Sequence, residues 1–150
     1  MSKLGKSLVL IALVGALVAA CVSQPAATPV PVTPQENNPY APQPGDETMA
    51  RGDAEIVSAS VLMAESFPPQ ISVSLAYRLP TPCYQLRVSI SQPDSQNRIQ
   101  LEIYGVAFKD KPCNLMALLM PQETNISLGS FPAGHYSVWV NGVQVGEFNS

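Results

Sequence analysis

Alternation of apolar and polar residues is the feature that most limits the fold of this chain. Three runs, residues 71–79, 86–90 and 99–103, place a large apolar side chain at every second position. A period of two puts those side chains on one face of an extended strand, so each run predicts a strand with one buried and one solvent-facing side. Turns that contain proline or asparagine separate the runs. This spacing predicts an all-β fold, an antiparallel β-sandwich of about seven strands.

Three further segments are expected to complete the sandwich. Residues 54–63 form a weaker first strand, and residues 125–128 form a brief later one. Residues 115–120 are a short apolar run that ends at Pro121. Periodicity does not separate a buried strand from one helical turn in so short a run, so both stay open there and a strand is favoured.

The C-terminal end of the chain carries a hairpin signal. Two alternating runs, residues 136–140 and 143–148, flank the dipeptide Asn141-Gly142. An Asn-Gly pair between alternating runs is typical of a two-residue type I′ turn, in which both turn residues take positive φ. The sequence therefore predicts a β-hairpin with its turn at Asn141 and Gly142.

The hairpin also predicts which side chains share a face. The expected register places Val138 opposite Val145, with the valines on one face and Trp139 on the other. Phe148 falls on the Trp139 face, unless a bulge at Gly146 turns it inward. Trp139 is thus a candidate ligand contact on the outside of the sheet, and burial under a neighbouring strand or loop is the alternative.

A resemblance supports this fold class. The sequence GSFPAGHYSVWVNG, residues 129–142, combines a proline and glycine turn, a Tyr-x-Val-x-Val strand and an Asn-Gly hairpin. It resembles the closing strands of immunoglobulin-like domains in bacterial surface proteins. The resemblance implies an immunoglobulin-like β-sandwich over residues 53–150. That domain is also similar to uncharacterised secreted lipoprotein domains, from which no activity carries over.

The N-terminus has the layout of a secretory signal. Lys3 and Lys6 precede an apolar run, which ends in small residues at position 20. A basic start, a short apolar run and small residues at a cleavage point are typical of a signal peptide, here residues 1–20. The run is too short for a membrane-spanning helix, which takes about 20 apolar residues.

The end of this run resembles the lipobox of bacterial lipoproteins. Val18, Ala19 and Ala20 stand directly before Cys21. The resemblance implies that Cys21 becomes the lipid-modified first residue of the mature chain, anchored on the extracytoplasmic side of a bacterial membrane. More than one acyl chain would make that anchoring stable rather than marginal.

Residues 21–52 are expected to form a tether. Seven prolines lie between Val22 and Gly52, interleaved with small and polar residues. Such a segment buries too little apolar surface to offset its ordering entropy, so it predicts a disordered spacer with a polyproline II bias. The folded domain is then expected to begin at residue 53.

The two remaining cysteines form an even pair. With Cys21 lipidated, Cys83 and Cys113 are expected to form a disulfide in an oxidising compartment. Two buried free thiols are the alternative. A metal site is disfavoured because His135 is the only histidine, whereas structural zinc usually takes four ligands.

Charge and motifs narrow the function. Without the signal peptide, six basic side chains face eleven acidic ones, which argues against a nucleic-acid partner. We find no nucleophile elbow for His135, no phosphate-binding glycine loop, and no calcium or zinc motif. The expectation is a protein that is not an enzyme and takes no cofactor and no metal.

Two functional hypotheses remain. The first is a tethered binding or structural module whose partner is an envelope protein or polysaccharide, contacted by an exposed face made of Trp139 with Arg87 or Tyr104. The second is a protease inhibitor that presents the rigid loop 79–83, since prolines and a disulfide would lower the ordering cost of that loop. Titration against a panel of proteases separates the two hypotheses.

Overall fold

The computed structural model describes residues 38–113 and 120–150, and this part of the chain is built almost wholly of strands. A single turn of 3-10 helix, Asp46–Thr48, precedes them. The eight strands of the described residues are β1 (Ala50–Asp53), β2 (Glu55–Ala64), β3 (Gln70–Arg78), β4 (Gln85–Ile90), β5 (Arg98–Ala107), β6 (Gln122–Gly129), β7 (His135–Val140) and β8 (Val143–Asn149). No helix in the described residues is long and apolar enough to cross a membrane.

The strands form two sheets. A three-stranded sheet has the order β2-β3-β6, and all its pairings are antiparallel. In the five-stranded sheet, β5 pairs with β4 along one edge. Its other edge is shared by two strands that follow one another in space: β7 pairs with residues 98–101 of β5, and β1 pairs with residues 104–107. β8 completes this sheet beside β7.

The core lies between the sheets and follows the period of two. In β3, Ile71, Val73 and Leu75 are almost fully buried, while the intervening serines are half-exposed. Ile99 and Leu101 of β5, in the five-stranded sheet, belong to the same buried cluster. The three runs that predicted strands therefore form β3, β4 and β5, with their apolar positions inside.

The predicted fold class is confirmed as an all-β sandwich. The strand count is eight in the described residues, against about seven expected. One pairing departs from the antiparallel expectation, because β5 and β7 run parallel. The long connection between these two strands, which includes β6 in the other sheet, permits a parallel pair that a tight hairpin would forbid.

The C-terminal hairpin is confirmed at its turn and corrected along its length. Asn141 and Gly142 both have positive φ, 46° and 83°, as a type I′ turn requires. The predicted pairing of Val138 with Val145 is wrong, because a bulge leaves Val145 unpaired and places Val138 opposite Gly146.

The bulge turns Phe148 into the core. Phe148 lies opposite Tyr136, and their rings stack with centroids 5.2 Å apart. A Cβ atom at Gly146 would lie 2.7 Å from a methyl carbon of Val61 in β2, so only glycine lets the two sheets approach here. The conditional prediction of a bulge that buries Phe148 is therefore confirmed.

The predicted start of the folded domain at residue 53 is wrong. Residues 38–49, which we call the strap, lie against the sandwich, and β1 begins at Ala50. The Asn38 amide donates to the backbone oxygen of Val88 at 2.7 Å, and the Val88 N–H donates to the Tyr40 oxygen. Part of the predicted tether thus covers the free edge of β4.

Three other predictions fall outside the described residues. These are the signal peptide at residues 1–20, the lipidation of Cys21 with the first part of the tether, and the structure of residues 115–119. Met120, which follows the last of these segments, is exposed.

Candidate functional site

A side chain fills the gap between the two strands that share one edge of β5. Asn141 follows β7, and its backbone N–H donates to the Leu101 oxygen. Its side-chain oxygen accepts from the Ile103 N–H at 2.7 Å, and its side-chain NH₂ donates to the Ile103 oxygen at 3.0 Å. The amide of Asn141 therefore continues the ladder that β1 resumes at Tyr104.

An open groove of about 750 Å³ lies on the outer face of the five-stranded sheet at this point. Asn141 and Gly142 border it at one end, and Arg51 and Asp53 of β1 border it at the other. β5 contributes the middle of the groove, with Gln100, Glu102 and Tyr104. The groove exists because β7 ends before β1 begins, so no strand covers this part of the β5 edge.

One basic group of the groove is already engaged. The guanidinium of Arg51 forms an ion pair with Glu102 and lies over the ring of Tyr104, 3.6 Å from its centroid. Both charged side chains are more than half exposed, so the ion pair itself adds little stability. Its effect is to hold the two side chains in place along the groove.

Three polar side chains face the groove without a partner. Within residues 38–113 and 120–150, the side chains of Asp53, Ser89 and Gln100 make no hydrogen bond or ion pair. Asp53 supplies a carboxylate that accepts hydrogen bonds, and Ser89 a hydroxyl that both donates and accepts them. Gln100 supplies an amide with two donor hydrogens and one acceptor oxygen. This mixed set is free to bind a polar ligand.

The strap fixes the approach to β1. Arg87 forms a bidentate ion pair with Asp46, with nitrogen–oxygen distances of 2.7 and 3.0 Å. Both side chains are about 10% exposed. The hydrogen bonds from Arg87, aided by the Gln43 N–H, hold the pKa of Asp46 below its usual range, although burial opposes this. The strap is thereby pinned to β4 four residues before β1.

Trp139 lies on the outer face of the same sheet, as the sequence predicts. It is half-buried between the fully buried Val138 and Val140, and its ring N–H donates to the Ser137 hydroxyl at 3.1 Å. Its register partner in β5 is Gln100, which lines the groove. Trp139 does not itself line the groove; it lies beside Gln100, which does.

The partners expected for Trp139 are placed differently. Arg87 and Tyr104 are each only 8% exposed, so the prediction that either forms an exposed aromatic face with Trp139 is wrong. Arg87 is held under the strap, and Tyr104 lies under Arg51. The strap and β1 cover these positions, and neither element is visible in the local alternation of residues 85–107.

The predicted disulfide is confirmed. Cys83 and Cys113 are joined, with their Cα atoms 5.8 Å apart. The loop 79–83 runs into this bond and is tied down at Thr81, whose oxygen accepts from the Tyr84 N–H. Leu79 packs against the core rather than projecting from it. The inhibitory role of this loop stays a prediction.

His135 lies at the start of β7, away from the groove residues. Its two ring nitrogens contact Asn149 and Glu147, at 3.0 and 3.2 Å. Neither partner carries a hydroxyl or thiol, so the cluster lacks the group that a histidine base would activate as a nucleophile. Within the part of the chain that the structure describes, no three metal-ligating side chains come together.

Sequence reasoning missed most of the groove. Ser89 and Gln100 occupy outward positions of predicted strands, Asp53 lies outside every predicted strand, and nothing local distinguishes the three from other solvent-facing residues. The Asn-Gly pattern predicts only a turn role for Asn141, although an asparagine side chain beside an unpaired strand edge can also bond that edge.

Comparison with known proteins identifies the domain. The model of a protein family described as the ORF11 beta-sandwich domain matches residues 73–150, slightly more than half of the chain. Searches of curated proteins and of solved structures gave no match. The matched range holds the disulfide, Trp139 and Asn141, whereas the strap and β1 precede it. The chain belongs to the ORF11 beta-sandwich domain family.

Proposed function

We propose that this protein is a bacterial lipoprotein, anchored through Cys21 on the extracytoplasmic side of a membrane, that acts as a non-catalytic binding module of the cell envelope. The lipobox-like Val18-Ala19-Ala20-Cys21 and the proline-rich stretch after it support the anchor. The Cys83–Cys113 disulfide supports an oxidising, extracytoplasmic location.

The groove on the five-stranded sheet is the observation on which the binding role depends. It combines an open volume with three polar side chains that lack partners in the described residues. Binding sites typically combine a concave surface with a few convergent polar groups. The loss of water from unpaired groups is repaid only when a ligand bonds them, so such a set favours a polar ligand.

The surroundings of His135 support a role without catalysis. Both its ring nitrogens are occupied by Asn149 and Glu147 at an exposed sheet edge. Asp53 and Glu102, the two carboxylates of the groove, are both exposed, and Glu102 is already paired with Arg51. Binding without chemistry is the function that this arrangement supports best.

The experiment uses the exported chain with Cys21→Ser, so that the lipid does not contribute to retention. Purified protein is sedimented with isolated cell envelopes over a range of concentrations. We expect saturable binding, and at least about a tenfold loss of affinity when Asp53→Ala and Gln100→Ala are combined.

The matched control removes the same chemistry from the other sheet. Glu123 and Asn125 of β6 are exposed, and Glu123→Ala with Asn125→Ala removes one carboxylate and one amide there. These control substitutions should leave binding unchanged. Non-saturable sedimentation, or equal loss in both double variants, would contradict the proposal.

A further inference from the structure

The hydrogen-bonding groups of the groove fit a ligand rich in hydroxyls. Asp53 can only accept hydrogen bonds, whereas Gln100 and Ser89 can both donate and accept. A ligand hydroxyl can donate a hydrogen bond to Asp53, and it can either donate to or accept from Gln100 and Ser89. Ligands with many neighbouring hydroxyls therefore match all three unpaired side chains at once.

The charge of the groove disfavours an anionic ligand. Asp53 and Glu102 face a single basic side chain, Arg51, which is already paired with Glu102. An anionic polymer would meet an uncompensated carboxylate, and the acidic net charge of the chain adds to that repulsion. A neutral ligand carries no such cost.

The backbone of the groove disfavours an extended peptide. Peptides that add to a sheet need a strand edge with free N–H and C=O groups. Here the edge of β5 is taken by β7 and β1, and the Asn141 amide occupies both backbone groups of Ile103 between them. Main-chain pairing is thus closed at Ile103, between the two strands.

An aromatic ring stands beside the polar set. Trp139 is the register partner of Gln100, and the hydrogen bond to Ser137 holds its indole on the outer face of the sheet. The π face of an indole carries negative charge density, which favours the weakly positive C–H groups on the face of a sugar ring. An aromatic ring for contact with the face of a sugar therefore lies next to a side chain that can bond its hydroxyls.

From these four observations we propose that the groove binds a neutral oligosaccharide segment of the cell envelope, with Asp53, Ser89 and Gln100 bonding its hydroxyls and Trp139 contacting the face of a sugar ring. This inference rests on the proposed binding function and names its ligand class.

Trp139 also provides the assay, because it is the only tryptophan of the chain. The exported Cys21→Ser protein is titrated with neutral oligosaccharides of glucose, mannose or N-acetylglucosamine up to millimolar concentration, and tryptophan emission is followed. Ligand-observed NMR provides a second readout that does not depend on the indole. We expect a saturable change with at least one sugar, and at least about a tenfold weaker Kd for Gln100→Ala or Asp53→Ala.

Two controls separate binding from folding. Asn125→Ala and Glu123→Ala on the other sheet should leave the Kd unchanged, and thermal unfolding of every variant shows whether the sandwich is intact. The sugar proposal is overturned if no neutral oligosaccharide binds by either readout, or if binding ignores the groove substitutions.

The two proposals fail in different ways. If envelopes bind through Asp53 and Gln100 while every neutral sugar fails, the binding function stands and the ligand is an envelope protein or an anionic polymer. If neither envelopes nor sugars depend on the groove, both proposals are wrong.

Discussion

The Asn141 side chain offers the sharpest test of how the groove is built. Asn141→Gly keeps a residue that readily takes positive φ in a type I′ turn, so the turn itself is retained. It removes the two hydrogen bonds to the Ile103 backbone. At about 1 kcal/mol for each bond, the free energy of unfolding should fall by about 2 kcal/mol.

Asn141→Asp separates the two bonds. A carboxylate still accepts from the Ile103 N–H, but it cannot donate to the Ile103 oxygen. The loss should therefore be about 1 kcal/mol, half that of Asn141→Gly. Because a protonated carboxyl can donate, the deficit relative to wild type should shrink as the pH falls through the pKa of the introduced group.

The control is Asn97→Gly. Asn97 also has positive φ, 55°, but its side chain is exposed and makes no hydrogen bond within the described residues. Urea and thermal unfolding should show no loss for this variant. For a domain of this size about 1 kcal/mol corresponds to a Tm shift of about 4 °C, so Asn141→Gly should lose about 8 °C. Equal stability of the two glycine variants would refute the ladder role of Asn141.

Three further predictions concern the anchor, the disulfide and the strap. Cys21→Ser should abolish incorporation of a fatty-acid analogue and release the protein from the membrane fraction; unlabelled but membrane-bound wild type would contradict this. Replacing both Cys83 and Cys113 by alanine should lower the free energy of unfolding in urea by about 3–4 kcal/mol, since their sequence separation is 30 residues; unchanged stability would show that the bond constrains little. Because the folded-state pKa of Asp46 is lowered, its pairing with Arg87 stabilises the fold at neutral pH and is lost as the pH falls through that pKa, below the usual range of an aspartate. Asp46→Asn should thus be less stable than wild type at pH 7 and approach it in acid; a stability difference that does not depend on pH would argue against the ion pair.

The strands could be predicted because their signal is local. In β3 and β5 the side chains alternate between core and solvent, and the sequence carries that period directly. The Asn-Gly turn is local too, since positive φ at both positions favours those residue types. Each of these features needs only a few neighbouring residues to be recognised.

The bulge in β8 depends on a contact between the sheets. A regular hairpin register follows from the turn alone, and it pairs Val138 with Val145. The structure instead places Gly146 opposite Val138, where a side chain would collide with Val61. A glycine at this position indicates a bulge, but Val61, which requires it, lies 85 residues earlier in the chain and in the other sheet.

The order of the strap was not predicted because the amino-acid composition of residues 38–49 indicates a disordered segment. Its prolines and small polar residues bury little apolar surface, which is the usual mark of a spacer. What orders it is a few specific bonds to distant residues: Asn38 with Val88, and Asp46 with Arg87. Such pairs leave no periodic signal, and either partner alone is typical of an exposed surface.

The same contacts explain why the groove could not be inferred from the strands that form most of it. One wall of the groove, with Arg51 and Asp53, belongs to β1, a strand of four residues with no alternation long enough to recognise. Its position depends on the ion pair between Asp46 and Arg87, which fixes the strap just before it. A buried ion pair fixes the relative position of its two side chains, whereas it adds little net stability, because desolvation offsets much of its attraction. The strap therefore matters chiefly for where it places β1, and thereby Asp53, opposite the Gln100 side of the groove.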